Sequence, residues 1–119
     1  MQKPSQYKAI LDALNDAGIR TAESGWNPRP EGNHCVIRID MEAGSLTGDG
    51  RKLDRVWEGS LDLFCHTIAE QDPLIEAVED ILTEAVGASW ELNSNTYEQE
   101  TRLFHMEWTF QCLDDGDES

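Results

Sequence analysis

Residues 56–65 read V-W-E-G-S-L-D-L-F-C, and this stretch decides the fold. Alternate positions carry apolar side chains and one glycine: Trp57, Gly59, Leu61, Leu63 and Cys65. The positions between them are polar until Phe64, which breaks the pattern. Such alternation predicts a β-strand with one buried and one solvated face. Phe64 is then expected either to cap a sheet edge or to contact something outside the domain.

A second stretch of the same kind, residues 104–112, lies near the C-terminus. Its even-numbered positions carry apolar side chains: Phe104, Met106, Trp108, Phe110 and Cys112. The intervening positions are His105, Glu107, Thr109 and Gln111. Two long strands that each have an aromatic-rich face predict a sheet whose apolar side must be covered by other elements.

Two amphipathic segments are the candidates for this cover. In residues 5–17 an apolar stripe predicts a helix that Ser5 caps and Gly18 ends. Asp72 and Pro73 are residue types favoured at an N-cap and a first helical position, so a second helix is predicted to begin there. Its apolar face carries Leu74, Ile75, Val78, Ile81, Leu82, Ala85 and Val86, and Gly87 follows.

Further strands are predicted on either side of the central one. Residues 35–41 alternate, and residues 19–23 are a candidate short edge strand. Another strand begins at Trp90, and residues 93–95, N-S-N, signal a turn or bulge. Residues 42–53 are too long and glycine-rich for a tight hairpin, so a mobile loop is predicted there. The connections that contain no helix all have the character of hairpins.

The order of these elements predicts the fold class. A helix, two or three strands, a second helix and two strands indicate an α+β domain with a mainly antiparallel sheet of four or five strands and both helices on one face. The length favours a single domain over residues 1–113, and the acidic residues 114–119 are expected to be a disordered tail. The face away from the helices keeps Arg38, Asp40, Glu58, Asp62, His105, Glu107 and Gln111.

The net charge limits the classes of partner. Nine basic residues oppose 24 acidic ones, and the resulting net charge of −15 repels DNA and anionic lipid. No stretch approaches the roughly 18 apolar residues of a membrane span, and the N-terminus lacks a signal core. A cytoplasmic protein without a membrane partner is therefore expected. Its three cysteines lie in apolar runs and are expected to be reduced and buried.

Cysteine and histidine occur in two neighbouring pairs, His34-Cys35 and Cys65-His66. Neighbouring side chains of a strand point to opposite faces, so neither pair readily binds one metal ion or forms a nucleophile–base pair. A metal site of His34, His66 and His105 on one face is conceivable but less favoured. The glycines of residues 44–50 lack the features of a phosphate-binding loop. No enzymatic activity, metal or cofactor is predicted.

Several residues suit contact with a partner. Three of the nine basic residues fall within five positions, 51–55, directly after the glycine-rich segment. In so acidic a chain, this basic segment suits contact with an acidic face of a second copy, although a solvated loop fits equally well. The candidate contact residues are Trp26, Gly44, Gly48, Gly50, Arg51, Lys52, Arg55 and Phe64.

The order and length of these elements resemble the small tail-terminator proteins, also called tail-completion or neck proteins, of long-tailed bacteriophages. The similarity spans the early helix, the Pro28–Pro30 lead into the strand at 35–41, the glycine-rich loop, the strand around Trp57, the helix from Asp72 and the closing strands. The similarity is in the order and length of the elements and in their residue pattern, and it includes no diagnostic motif. It implies an α+β protein that forms a six-fold ring, caps the finished tail tube and provides the surface that docks tail to head.

The same resemblance implies partners and location. The partners would be copies of the chain itself, the tail-tube protein and a head-connector protein, and subunits of this family can stay monomeric before assembly. DNA would pass through the ring without specific binding, and an acidic bore would repel its phosphates. The protein would reside in the neck of the virion after assembly in the host cytoplasm. The family has no catalytic residues to carry over.

Two other interpretations fit the sequence. A head-side connector, or head-completion, protein has a similar size and also forms rings. It differs from a tail terminator in its partner, which is a head protein and not the tail tube. A small acidic cytoplasmic adaptor, acting as a monomer or dimer, is the alternative outside virion assembly.

Overall fold

The computed structural model describes residues 5–25, 32–48, 51–86 and 90–113. Its elements are α1 (Ser5–Asp16), β1 (Thr21–Glu23), β2 (His34–Gly48), β3 (Arg51–Cys65), α2 (Ile68–Val86), β4 (Trp90–Glu98) and β5 (Leu103–Leu113). The strands form one sheet in the order β1-β2-β3-β5-β4, antiparallel except for β1 and β2. This confirms the predicted α+β class. No helix in the described ranges is long and apolar enough to cross a membrane.

The apolar parity of β3 and β5 packs against both helices. The shared core is formed by buried side chains of α1, α2, β2, β3 and β5, among them Tyr7, Ile10, Leu14, Ile37, Leu61, Leu63, Val78, Leu82, Met106, Trp108 and Phe110. Burial of one such side chain contributes about 1.5–3 kcal/mol. The indole N–H of Trp108 also donates to Glu79 Oε2 of α2 at 2.9 Å, which fixes the helix over the sheet.

The end of α1 positions the first strand. Gly18, predicted to end the helix, has a φ of 89°. Its N–H donates to the Asn15 carbonyl and the Ile19 N–H donates to the Leu14 carbonyl, both at 3.0 Å. These two bonds are the Schellman pattern, which folds Ile19 back into the core. The Asn15 amide then exchanges two hydrogen bonds with the backbone of Thr21, so the helix end holds β1 in place.

The predicted edge strand is present as β1, but the prediction that it joins its neighbour as a hairpin was wrong. Thr21 and Glu23 of β1 pair in parallel with Cys35 and Ile37 of β2. The connection, residues 24–33, exceeds the roughly two to five residues of a hairpin loop. A connection of that length does not impose the antiparallel pairing of a tight hairpin.

The prediction of a mobile loop at 42–53 was also wrong. The antiparallel ladder between β2 and β3 continues to the pair Gly48↔Arg51. Three register shifts interrupt it, between Ile39 and Met41, Glu42 and Gly44, and Leu46 and Thr47. A β-bulge breaks side-chain alternation without ending the ladder, which explains why the sequence pattern was lost there.

β2 and β3 are the longest strands, with 15 residues each. A strand of 15 residues extends about 50 Å, close to the longest dimension of the chain, 51 Å.

A bulge predicted near Asn93 is confirmed in β4 by a register shift between Leu92 and Ser94.

The predicted start of α2 was wrong. The helix begins at Ile68, and Pro73 lies inside it. Thr67 is the N-cap, because the backbone N–H of Glu70 donates to its hydroxyl at 3.2 Å. Residues 67–70, T-I-A-E, have the capping-box sequence, a stronger start signal than Asp72-Pro73.

This start can be tested with two cap substitutions. Thr67→Ala is expected to lower the free energy of unfolding by about 1 kcal/mol, because it removes the hydroxyl that satisfies the Glu70 N–H. Asp72→Ala, in the interior of the helix, should change it little. Urea unfolding of the two variants provides the measurement. The reverse ranking would place the helix start at Asp72.

Gly59 supplies a second stability prediction. A Cβ at this position would lie 2.6 Å from the Arg38 carbonyl oxygen and 2.6 Å from Cζ of Phe110. Gly59→Ala is therefore expected to lower the free energy of unfolding by about 2 kcal/mol, measured in urea. Gly32→Ala is the control, since a Cβ there meets nothing within 4 Å. Equal effects in both variants would contradict the close packing at Gly59.

Candidate functional site

The sheet face opposite the helices carries polar and aromatic side chains in cross-strand rows. His34, Phe64 and His105 form the first row across β2, β3 and β5. Val36, Asp62 and Glu107 form the second row, and Arg38, Ser60 and Thr109 the third. Side chains of adjacent rows on one face lie within reach of each other. We call this surface the polar face.

Asp62 is the centre of the polar face. Its Oδ2 accepts a hydrogen bond from Arg38 Nη1 at 2.9 Å, and its Oδ1 lies 2.7 Å from His105 Nε2. The Asp62 side chain is only 10% exposed. Two cationic partners on neighbouring strands therefore compensate a carboxylate that has little contact with water.

Arg38 extends this network across the sheet. Its Nε donates to Asp40 Oδ1 at 2.7 Å, and its Nη2 contacts Glu107 Oε2 at 3.4 Å. Ser60 donates its hydroxyl to the other Asp40 oxygen at 2.5 Å. The network thus joins β2, β3 and β5 through charge-assisted hydrogen bonds, which are stronger than neutral ones.

His105 is held between two carboxylates. Its Nδ1 lies 2.9 Å from Glu98 Oε2 of β4, while its Nε2 faces Asp62. The hydrogen bond to Asp62, together with the charges of Asp62 and Glu98, raises the pKa of His105 above 6.5, and burial offsets only part of this effect. The imidazolium is therefore stabilised in the folded chain.

Phe64, which broke the strand alternation, lies on the polar face between two imidazole rings. Its ring stacks on His34 with centroids 4.8 Å apart and on His105 with centroids 4.4 Å apart. The Phe64 side chain is only 5% exposed. Neither expectation for this residue anticipated an internal aromatic stack.

A groove of about 400 Å³ runs over these rows. It is lined by Ser24, Gly25, Val36, Arg38, Asp62, Phe64, His105 and Glu107. Both oxygens of Asp62 and both ring nitrogens of His105 already have partners within the chain. The polar atoms of Asp62 and His105 are therefore already hydrogen-bonded to each other and to neighbouring side chains, as in a network that stabilises the fold.

The cysteines have the inward orientation expected from parity. Cys35, Cys65 and Cys112 are buried and free, and burial raises the pKa of each, to about 12 for Cys112. Their thiols are consequently protonated at neutral pH and poor nucleophiles. In the part of the chain that the structure describes, no group of three or more His, Cys, Asp or Glu residues is arranged to hold a metal ion. His34 and His105 share a face, but the Phe64 ring separates them.

The predicted contact residues fall in different places. Gly44 and Gly48 lie in β2, and Arg51, Lys52 and Arg55 lie in β3. Phe64 is in the aromatic stack, away from this basic segment. Trp26 and Gly50 lie outside the described residues. The structure therefore places six of these residues on the β2–β3 hairpin, five of them in its far part, and their role in contact stays a prediction.

Sequence reasoning placed Arg38, Asp62 and His105 on one polar face but missed their network. Strand parity alone gives the face of each residue, whereas the network depends on strand order and register, in which β5 lies beside β3. A single buried Asp in the central strand was the available signal, since it requires cationic partners from adjacent strands.

The chain matches no protein-family model and no curated protein sequence.

The network generates a prediction about stability. Asp62→Asn is expected to lower the free energy of unfolding at pH 6 by about 2 kcal/mol, because a neutral amide cannot compensate the charges of Arg38 and His105. The loss stays moderate because Arg38 is partly solvated. Glu107→Gln is the matched control, since this carboxylate contacts Arg38 at the longer distance of 3.4 Å. Chemical unfolding measures both. A larger loss in Glu107→Gln would contradict the central place of Asp62.

Proposed function

We propose that this protein is a structural virion-assembly protein that caps the tail tube of a long-tailed bacteriophage. As a ring of identical subunits it forms the surface that joins the tail to the head. Its partners are the next copy of the chain, the tail-tube protein and a head-connector protein, and DNA passes through the ring without specific binding. The protein acts by contact, not by catalysis, and its location is the neck of the virion.

The observation that carries this proposal is the far end of the β2–β3 hairpin, which we call the ribbon. Its residues, 45–48 and 51–55, pair only with each other among the described strands, since the last pair between β3 and β5 is Val56↔Leu113. A two-stranded hairpin is at best marginally stable in water. A surface on a second copy would supply the missing burial, and closed rings are built from such contacts between two different patches.

The distribution of charge supports the same role. Arg51, Lys52 and Arg55 lie on the ribbon of a chain with a net charge of −15. The solvent-exposed side of α2 carries Glu76, Asp80 and Glu84. A basic ribbon against an acidic face gives attraction between unlike patches, while an acidic ring would repel DNA that passes through it.

The proposal is tested by mixing the protein with isolated tail tubes that lack a terminator. Electron microscopy is expected to show a ring-shaped cap at one end of each tube. Binding to head connectors instead of tubes would assign the head-side role. A particle that binds neither, and whose mass in solution stays that of a monomer or dimer, would overturn the proposal in favour of an adaptor.

The ribbon contact has its own prediction. Lys52→Glu is expected to weaken ring formation or tube capping by about tenfold, because it reverses one charge at a complementary interface. Lys8→Glu is the control, since Lys8 lies on α1, is 73% exposed and pairs only locally with Asp12. Titration of tubes with each variant measures the effect. If both variants cap tubes as the parent chain does, the ribbon is not the contact.

A further inference from the structure

His105 occupies a position that demands a particular charge state. Carboxylate oxygens accept hydrogen bonds and donate none. Both ring nitrogens of His105 lie within 2.9 Å of such oxygens, Asp62 Oδ1 and Glu98 Oε2. A neutral imidazole has one N–H and can satisfy only one of them. The observed arrangement is therefore that of the doubly protonated ring.

The charged groups around His105 come from four strands. Asp62 of β3 and Glu98 of β4 contact it directly. Arg38 of β2 binds the second oxygen of Asp62, and Glu107 of β5 contacts Arg38. On the far side of Phe64 lies His34, whose Nδ1 is 2.7 Å from the Gly32 carbonyl. Acidic groups outnumber the permanent cation, which favours a charged His105.

The two carboxylates differ in what they retain when His105 loses its proton. Asp62 keeps Arg38 and is 10% exposed, whereas Glu98 is 35% exposed and, among the described residues, keeps the hydroxyl of Thr101 at 2.9 Å. The bond to Asp62 is also the shorter of the two. The proton that remains on a neutral ring therefore stays with Asp62, and Glu98 turns to water.

Glu98 lies at the periphery of the sheet. It ends β4, an edge strand, and its carbonyl accepts the N–H of Arg102 at 2.8 Å across the turn to β5. Arg102 has a φ of 60°, the left-handed conformation that costs a residue other than glycine about 1 kcal/mol or more. Loss of the Glu98 side-chain contact leaves this strained turn with fewer restraints.

We propose that His105 is a pH-dependent latch, which holds the Glu98 end of β4 and the following turn against β5 when it is charged and releases them when it is neutral. The latch depends on the polar face alone and not on the role in tail assembly. Because the folded pKa is raised, the stabilisation is complete below about pH 6.5 and is lost as the pH rises through the folded value.

The latch can be tested by NMR titration of the imidazole nitrogens. In the parent chain, His105 is expected to be doubly protonated at pH 6 and to titrate above 6.5. Glu98→Gln should lower its pKa, because it removes one of two adjacent negative charges. Glu91→Gln, at an exposed position of the same strand, should leave it unchanged. A ring that is already neutral at pH 6 would overturn the proposal.

Amide hydrogen exchange tests the release itself. Corrected for intrinsic base catalysis, the protection of the Arg102 amide is expected to fall by about tenfold as His105 deprotonates, the factor given by loss of one charge-assisted hydrogen bond. In Glu98→Gln the Arg102 amide should have low protection at every pH, without this pH-dependent fall. In Glu91→Gln the fall should remain. A protection factor that does not change with pH in the parent chain, or a fall that persists in Glu98→Gln, would refute the latch.

Discussion

The buried carboxylate of Asp62 is the constraint on which the polar face depends. β3 is the middle strand of the sheet, and between Trp57 and Cys65 its side chains are buried on both faces except for half-buried Glu58. An unpaired charge at such a position costs several kcal/mol, so cations must reach Asp62 from the strands on either side. Arg38 and His105 can do so only in the observed register. A slip of one residue would turn the carboxylate into the apolar core.

Local periodicity was enough to predict the fold class and the buried face of each long strand. The apolar parity of β3 and β5, the stripe of α1 and its end at Gly18 each depend on contacts between residues close in the sequence. Such contacts leave a pattern that can be read from one chain. The buried thiols followed from the same parity, since the cysteines share the apolar positions of their strands.

The parts that sequence reasoning missed depend on pairing between distant segments or on competition between signals. The bulges of β2 erased the alternation that marks a strand, so the sequence predicts a loop where the far part of the hairpin lies. Thr67 and Asp72 are both favoured N-cap residues. The helix begins after Thr67 because this start adds five helical residues ahead of Pro73. The stack of Phe64 and the network of Asp62 both required the position of β5 beside β3, which no local pattern contains.

The β2–β3 hairpin is stabilised in different ways along its length. At residues 35–37 it lies between β1 and β5 and over the helical core, so its own chain supplies the burial. The described pairing of the ribbon, residues 45–48 and 51–55, is the backbone ladder between its own two strands. A hydrogen bond contributes about 1 kcal/mol net, whereas ordering a residue costs about 1–2 kcal/mol, so the ladder alone does not stabilise the ribbon. The network around Asp62 holds the other end whether or not a partner is present. One pair of strands therefore joins the network of the polar face to a ribbon whose described pairing is internal, and the proposed assembly contact would complete that ribbon.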